Sequence, residues 1–250
     1  MARTRTNRRR RRGRYSFLWK LLGFFDAAAA VIAALTLFFR MNHIVVSGNA
    51  RYTETEVLDA SGLASGGNLY FLNKYSVKEK IFERLPYVEE VAINRKLPDT
   101  LIIEVRECKA VAGVESNGGA WLISEQGKLL EEVAAPPEGY PLVTGETLIE
   151  PAASEPMSFG EDAAYRMGVL LTLLQRAEAR GMRANIGVID LSDDTALSFT
   201  YLDRFDVRVP WTADVDYKLE SLEKVVEVLE NNEIGRIDLM TDGKASFIPD

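Results

Sequence analysis

The chain has 250 residues, with 30 basic against 37 acidic side chains and a formal net charge of −7. Its composition, 47% hydrophobic and 27% charged, is globular and allows one or two domains with cores of useful size. One cysteine (Cys108) and one histidine (His43) exclude an intramolecular disulfide and any Cys/His metal cluster.

Charge is segregated along the chain. Residues 1–20 carry nine basic groups (Arg3, Arg5, Arg8, Arg9, Arg10, Arg11, Arg12, Arg14 and Lys20) and no acidic one, whereas residues 41–250 carry 20 basic and 36 acidic groups. Between them runs the apolar stretch Leu21–Phe39, broken only by Asp26 and closed by Arg40. Nineteen helical residues at about 1.5 Å each reach roughly 28 Å, close to the hydrocarbon thickness of a bilayer. No small-x-small cleavage site follows; Phe38-Phe39-Arg40-Met41 is a poor one, so an uncleaved anchor is expected rather than a signal peptide. Flanking arginines stay in the cytoplasm. The expectation is therefore a basic cytoplasmic tail at 1–20, a transmembrane helix at 21–39 and a single-pass type II protein of the plasma membrane, its N-terminus cytoplasmic and the remainder outside. The arginine run reads as a topology signal that also touches anionic headgroups, and no nucleic-acid partner is expected.

Just beyond the span, His43-Ile44-Val45-Val46-Ser47 is β-rich and closes on Gly48-Asn49. Thr53-x-x-Glu56 has capping-box spacing and opens a short helix with Val57 and Leu58. A loop from Ser61 to Asn68 follows. Ser76 is expected to begin a second helix, with Val77, Ile81 and Leu85 at i, i+4 and i+8 and Pro86 as its stop. Val91 and Ile93 alternate as in a half-buried strand, and after Leu97-Pro98-Asp99 so do Leu101, Ile103 and Val105. The order is strand, helix, helix, strand, strand.

Further on, Trp121-Leu122-Ile123 and Leu129-Leu130 flank a turn at Glu125-Gln126-Gly127. Residues 134–156 hold five of the nine prolines and are expected to form a surface connection. Ser158-x-x-Glu161 has capping-box spacing ahead of a helix through Arg180, which Gly181 would stop. Short strands are marked by Ile189 and Leu191, by Leu197, Phe199 and Tyr201, and by Phe205, Val207 and Val209; Leu202-Asp203-Arg204 suits a hairpin loop between the last two. A second helix, about Asp214 to Asn231, places Val215, Leu219, Leu222, Val226 and Leu229 on one face, and Ile237 and Leu239 lead into a terminal hairpin.

These segments carry a resemblance. The run IVVSGNARYTETEV at 44–57 resembles the opening of a polypeptide-transport-associated (POTRA) domain. LPYVEEVAINRKLPDTLIIEVRE at 85–107 is similar to the second half of that domain in the FtsQ/DivIB family of bacterial cell-division proteins, through Val88, Val91, Ala92, Ile93, Arg95, Pro98, Thr100, Leu101, Ile103, Val105 and Glu107. The hairpin at 110–132, the Tyr140–Gly145 step and the closing RIDLMTDGKASF at 236–247 resemble the same family's β-domain, with Ser124 where the family has Asp and Met240-Thr241 where it has Arg-Tyr. The fold class expected is α+β: a single transmembrane helix, a POTRA-like domain over 42–108, and a mixed β-sheet domain over 109–250 with two longer helices. A close junction is expected near Glu107–Lys109.

Candidate chemistry is thin. A sortase-type site needs Cys, His and Arg together, and Arg106-Glu107-Cys108 does not resemble that family's strand; Cys108 reads as a small, partly buried hydrophobe and His43 as interfacial. A serine hydrolase lacks a usable histidine base, no Ser-x-x-Lys stands in a nucleophile setting, and neither Walker nor dinucleotide glycine loops occur. The acidic pairs Glu131-Glu132 and Asp193-Asp194 read as solvated surface charge. No catalytic residue, cofactor, metal or small-molecule substrate is expected.

A terminal hairpin at the end of a sheet offers an edge to which another chain can add as a strand. The resemblance points to the same place: in FtsQ/DivIB proteins the last strand and adjacent helix receive an FtsB/DivIC-type partner, which here implies Lys244, Ala245, Ser246, Phe247 and Ile248, with Met240 and Thr241 on the preceding strand. Phe247 and Ile248 are the expected anchors, although strand alternation sends one of them inward. The resemblance thus implies a non-enzymatic scaffold of the division complex, linking FtsL-like and FtsB/DivIC-like proteins at the septum and regulating septal peptidoglycan synthesis. The alternative is a membrane-tethered sensor or recruiting module of a secretion or envelope system.

Overall fold

A computed structural model describes residues 13–160, 163–241 and 243–249. It is an α+β protein: a long N-terminal helix, then a three-stranded and a nine-stranded sheet, each with two helices of its own. Helix α1 (Gly13–Phe38) contains the apolar segment Phe17–Phe38, the one helix among the described residues long and apolar enough to cross a membrane. No residue of the Phe17–Phe38 segment is buried and it has no polar stripe, as a lipid-facing helix requires. Its 22-residue apolar segment would reach about 33 Å.

The first sheet has the order β1-β3-β2, with β1 (His43–Ser47) parallel and β2 (Val88–Lys96) antiparallel to the central β3 (Thr100–Glu107). Leu101, Ile103 and Val105 point from β3 into a core against α2 (Glu54–Ser61) and α3 (Lys74–Arg84), meeting Val57, Val77 and Ile81. The capping box opens α2: Thr53 Oγ1 accepts from the Glu56 amide at 3.2 Å, and Glu56 Oε2 accepts from the Thr53 amide at 2.7 Å. Helix α3 begins two residues before Ser76, because Asn73 caps it by accepting from the amides of Tyr75 and Ser76. Gly48 must be glycine, since a Cβ there would sit 2.2 Å from the Val105 carbonyl oxygen.

The second sheet holds β4 (Ala110–Ser116), β5 (Gly119–Ser124), β6 (Leu129–Val133), β7 (Leu142–Thr144), β8 (Ile186–Asp190), β9 (Ala196–Tyr201), β10 (Phe205–Pro210), β11 (Gly235–Asp238) and β12 (Ser246–Pro249), in the order β12-β11-β10-β9-β8-β7-β4-β5-β6. Strand β7 lies inside the proline-rich segment read above as a surface connection. It pairs in parallel with both β4 and β8, and Val143 at its centre is fully buried. Helix α4 (Ala164–Ala179) joins β7 to β8, and α5 (Val215–Val228) joins β10 to β11, each across a parallel pair. Both crossovers step in the same direction along the sheet between strands that point the same way. The preference for one crossover hand then puts both helices on the same face, where they close over Ile189, Phe199, Val207 and Ile237.

Helix α4 starts at Ala164 without a side-chain cap, so Ser158 does not open it; Ser158 Oγ accepts instead from the Gly160 amide at 3.2 Å, and Glu161 lies outside the described residues. Asp214 caps α5 through the amides of Asp216 and Tyr217, and the helix ends at Val228, three residues short of the expected end.

Only Cys108 and Lys109 separate β3 from β4. Tyr87, Leu122 and Leu130 form a small core of their own where the two sheets meet, with Cys108 and Val133 against it. Tyr87 Oη donates to Glu131 Oε1 at 2.5 Å, Arg51 pairs with the same oxygen at 3.2 Å, and the Arg51 guanidinium lies 3.8 Å from the Tyr87 ring centroid. Lys128 Nζ donates to the Val88 carbonyl at 2.9 Å, and Ser154 Oγ to that of Phe82 at 2.5 Å. Glu131 is thus an acceptor shared across the junction, not merely solvated charge. Burial pushes the Tyr87 hydroxyl up, with the Glu131 hydrogen bond adding to it. Burial likewise pushes the Cys108 thiol up and the Lys128 ammonium down.

Candidate partner-binding edge

Every residue expected at the partner site falls within or beside the last hairpin, although not all lie on strands. Strand β12 pairs antiparallel with β11 in the register Gly235↔Pro249, Arg236↔Ile248, Ile237↔Phe247, Asp238↔Ser246. Among the described residues no strand pairs with its other side, so β12 is the free edge of the nine-stranded sheet. Ser246, Phe247 and Ile248 are on that strand, while Lys244 and Ala245 lead into it. Met240 and Thr241 are not on the preceding strand, which ends at Asp238. There the Asp238 carboxylate accepts from the Met240 amide at 2.8 Å and turns the backbone out of the ladder.

The period of two divides Phe247 from Ile248. Phe247 is half-buried and meets Phe205 edge to face, with ring centroids 6.0 Å apart at 85°. Ile248 faces the other way and is 51% exposed. On that outer face the registers align one row across four strands: Thr200, Asp206, Arg236 and Ile248. Arg236 Nε and Asp206 Oδ2 pair at 3.1 Å within it. The row floors an open groove of about 530 Å³, walled by Asp203, Arg204 and Phe205 and ended by Ile248. A charged pair flanked by an exposed aliphatic side chain at a strand edge can take an incoming strand by main-chain hydrogen bonds, one apolar side chain and polar contacts along the row.

Two residues that the sequence reading passed over hold this edge in place. Gly235 allows β11 and β12 to meet, since a Cβ there would lie 2.2 Å from the Ile248 carbonyl oxygen and 2.9 Å from Pro249 Cα. Lys218, buried on α5, donates from Nζ to the Thr241 carbonyl at 3.0 Å and ties the hairpin loop to the helix. Its signal was visible: Lys218 falls three residues after Val215 and four before Leu222, on the apolar stripe, where a lysine buries its stem and needs an acceptor at its tip.

The family comparisons agree with this architecture. The profile of the FtsQ-type POTRA domain matches residues 39–107, and that of the C-terminal region of cell division protein FtsQ/DivIB matches residues 112–240. The chain is 34% identical to cell division protein DivIB of Clostridium acetobutylicum over 94 residues, 38% of this chain and 37% of that one. It is 30% identical to cell division protein FtsQ of Corynebacterium glutamicum over 119 residues, 48% of this chain and 53% of that one. With FtsQ of an Anaeromyxobacter species it shares 28% identity over 196 residues, covering 76% and 63%. The first two matches span only about a third to a half of those relatives' length. The solved extracytoplasmic domain of the trans isomer of DivIB from Geobacillus stearothermophilus is 13% identical, covering 50% of this chain and 97% of that one at a TM-score of 0.33, too low to carry weight. A profile that matches more than half the residues, preceded by its POTRA partner in the same order as here, places this chain in the FtsQ/DivIB family of cell division proteins.

Proposed function

We infer that this protein is a non-enzymatic scaffold of the division complex, anchored by α1 with its arginine-rich N-terminus in the cytoplasm and both sheets outside, and concentrated at the septum. The units are a tail at 1–20, a span at 21–39, a POTRA domain at 42–108 and a β-domain at 109–250. Through β12 the protein takes a strand from an FtsB/DivIC-like partner, and with an FtsL-like protein it forms the assembly that regulates septal peptidoglycan synthesis. The observation that carries this reading is the free edge itself, with Ile248 exposed and the Arg236–Asp206 pair beside it. The relatives' names, all cell division proteins, support the setting. The raised pKa of the Cys108 thiol argues against its use as a nucleophile, since the reactive form is the thiolate.

The test is Ile248→Glu. Its side chain faces outward, so the fold is kept while a carboxylate meets the incoming strand. Affinity for a purified FtsB/DivIC-like partner, measured by calorimetry, is expected to fall at least tenfold, with thermal unfolding unchanged. Equal affinity for the variant and the parent would remove strand addition at this edge.

A further inference from the structure

Helix α1 is stitched at its end to the loop between α2 and α3. Asn68 Nδ2 donates to the Leu35 carbonyl at 3.0 Å and reaches that of Thr36 at 3.4 Å, supplying a donor to carbonyls that a helix C-terminus leaves open. The Leu69 amide donates to the Phe39 carbonyl at 2.9 Å, the Met41 amide to Gly67 at 2.7 Å, and the Gly66 amide to Met41 at 2.8 Å. The Oδ1 of the same Asn68 accepts from the amides of Tyr70 at 2.8 Å and Phe71 at 3.3 Å. A donor to the Leu35 carbonyl stands where the next helical turn would, beside Phe39 and Arg40, and Asn68 also bridges to Arg40, so one side chain holds Tyr70 and Phe71 at the end of the helix.

At that height both rings stand out into solvent, Tyr70 60% and Phe71 64% exposed. They continue a run of rings that starts on the helix: Phe38 to Phe39 at 5.7 Å between centroids, Phe39 to Tyr70 at 6.4 Å, Tyr70 to Phe71 at 5.9 Å. Arg40 lies at the same level, its Nη2 within 3.0 Å of where a Cβ on Gly66 would be. The apolar segment of α1, about 33 Å long, slightly exceeds a hydrocarbon core of about 30 Å, so the helix end near Phe38 falls at the hydrocarbon boundary and the loop tied to it at headgroup depth. Amphipathic rings beside a cation are what that layer favours.

We propose that Tyr70 and Phe71 form an interfacial wedge that seats the first exterior domain on the phospholipid surface, with Arg40 turned to the lipid phosphates. Asn68 sets the depth of the wedge by holding the loop to the helix end. The proposal rests on α1 crossing the bilayer, and the test separates the two.

The full chain carrying Cys108→Ser receives one new cysteine at a time: Tyr70→Cys or Phe71→Cys, each leaving the other ring in place, Val31→Cys in the helix, and Asn117→Cys on the distant β4–β5 turn. Each is labelled with a nitrobenzoxadiazole fluorophore in phosphatidylcholine–phosphatidylglycerol nanodiscs containing doxyl lipids. The labels at 70 and 71 are expected to be quenched severalfold more by a shallow doxyl group than by a deep one, the label at 31 more by the deep one, and that at 117 by neither. Quenching at 31 without quenching at 70 or 71 overturns the wedge and leaves the span intact. No quenching at 31 removes the span and the wedge with it. Labels at 70 and 71 that are shielded from water yet untouched by doxyl lipid assign the patch to a protein or a second copy, and that also overturns the proposal.

Discussion

Gly235 is the residue on which the proposed binding edge most directly depends, and Gly235→Ala tests this without touching any side chain a partner would meet. The added methyl would stand 2.2 Å from the Ile248 carbonyl oxygen, 2.9 Å from Pro249 Cα and 3.1 Å from the Ile248 carbonyl carbon. Ordinary contact begins near 3.4 Å, so the strands must separate by about 1 Å, and the obstacle is backbone that cannot rotate aside. Four register pairs join β11 to β12. Losing two to four hydrogen bonds at roughly 1 kcal/mol each destabilises the docked strand by about 2–4 kcal/mol. At about 1.4 kcal/mol per decade that is about a 30- to 1,000-fold rise in opening of β12. Hydrogen exchange of a peptide covering residues 243–249 reads this directly, while peptides from β8 and β9, which Gly235 does not touch, keep their protection. Partner affinity is expected to fall only in proportion to the fraction of molecules in which β12 is no longer docked. Wild-type protection of β12 in the variant would show that the close approach is not what docks this strand. Loss of protection spread evenly over the whole sheet would show that β12 is not a separable edge.

Two further substitutions probe the edge and the junction. Phe247→Ala removes a half-buried ring and its edge-to-face contact with Phe205. With about 3–5 kcal/mol for a fully buried phenylalanine, the expected cost is about 2 kcal/mol, seen as a lower midpoint in thermal unfolding of the detergent-solubilised chain; an unchanged midpoint would mean that Phe247 is an exposed anchor after all. Glu131→Ala leaves the buried Tyr87 hydroxyl without its acceptor and Arg51 without its partner, a loss of about 1–3 kcal/mol. Glu131→Gln keeps an acceptor for Tyr87 and should recover most of it in the same measurement. Equal losses in the two variants would assign the effect to the charge and not to the hydrogen bond.

Much of this architecture was legible because local signals and tertiary packing agree. The strand, helix, helix, strand, strand order of the first sheet rests on period-two alternation, the Thr53–Glu56 box and the Pro86 stop, and all of these operate within a few residues of where they are written. Strand β7 failed that test. Three residues between Pro141 and Gly145 carry too little periodicity to announce a strand, and β7 exists because β4 and β8 close on it from either side. The start of α4 was misplaced because Ser158 had cap spacing but a nearer use for its hydroxyl, and Asn73 outcompeted Ser76 by reaching two amides at once. At the candidate edge, alternation foretold that Phe247 and Ile248 would part but not which would turn inward; that choice is set by Phe205, forty-two positions away. Gly235 and Glu131 were invisible for the same reason, their roles being contacts with Ile248 and Tyr87 that only the assembled sheets create.

The path from helix to edge has few places to bend. Strand β1 leaves the end of α1 after four residues and runs parallel to β3, with His43 opposite Thr100, so β3 also starts at the helix end and runs away from it. Eight residues of strand reach about 26 Å. Two residues later β4 begins, and the Arg51–Glu131–Tyr87 cluster with the Lys128 and Ser154 hydrogen bonds closes the gap between the sheets. If the loop at Asn68 is also seated on lipid, both ends of β3 are fixed, one by the bilayer and one by the second sheet. On the proposed function, a domain so braced would present the β12 edge at a set height and orientation above the membrane. The proposed partner would then lose less freedom on binding than it would against a loosely tethered domain, and that difference would favour assembly.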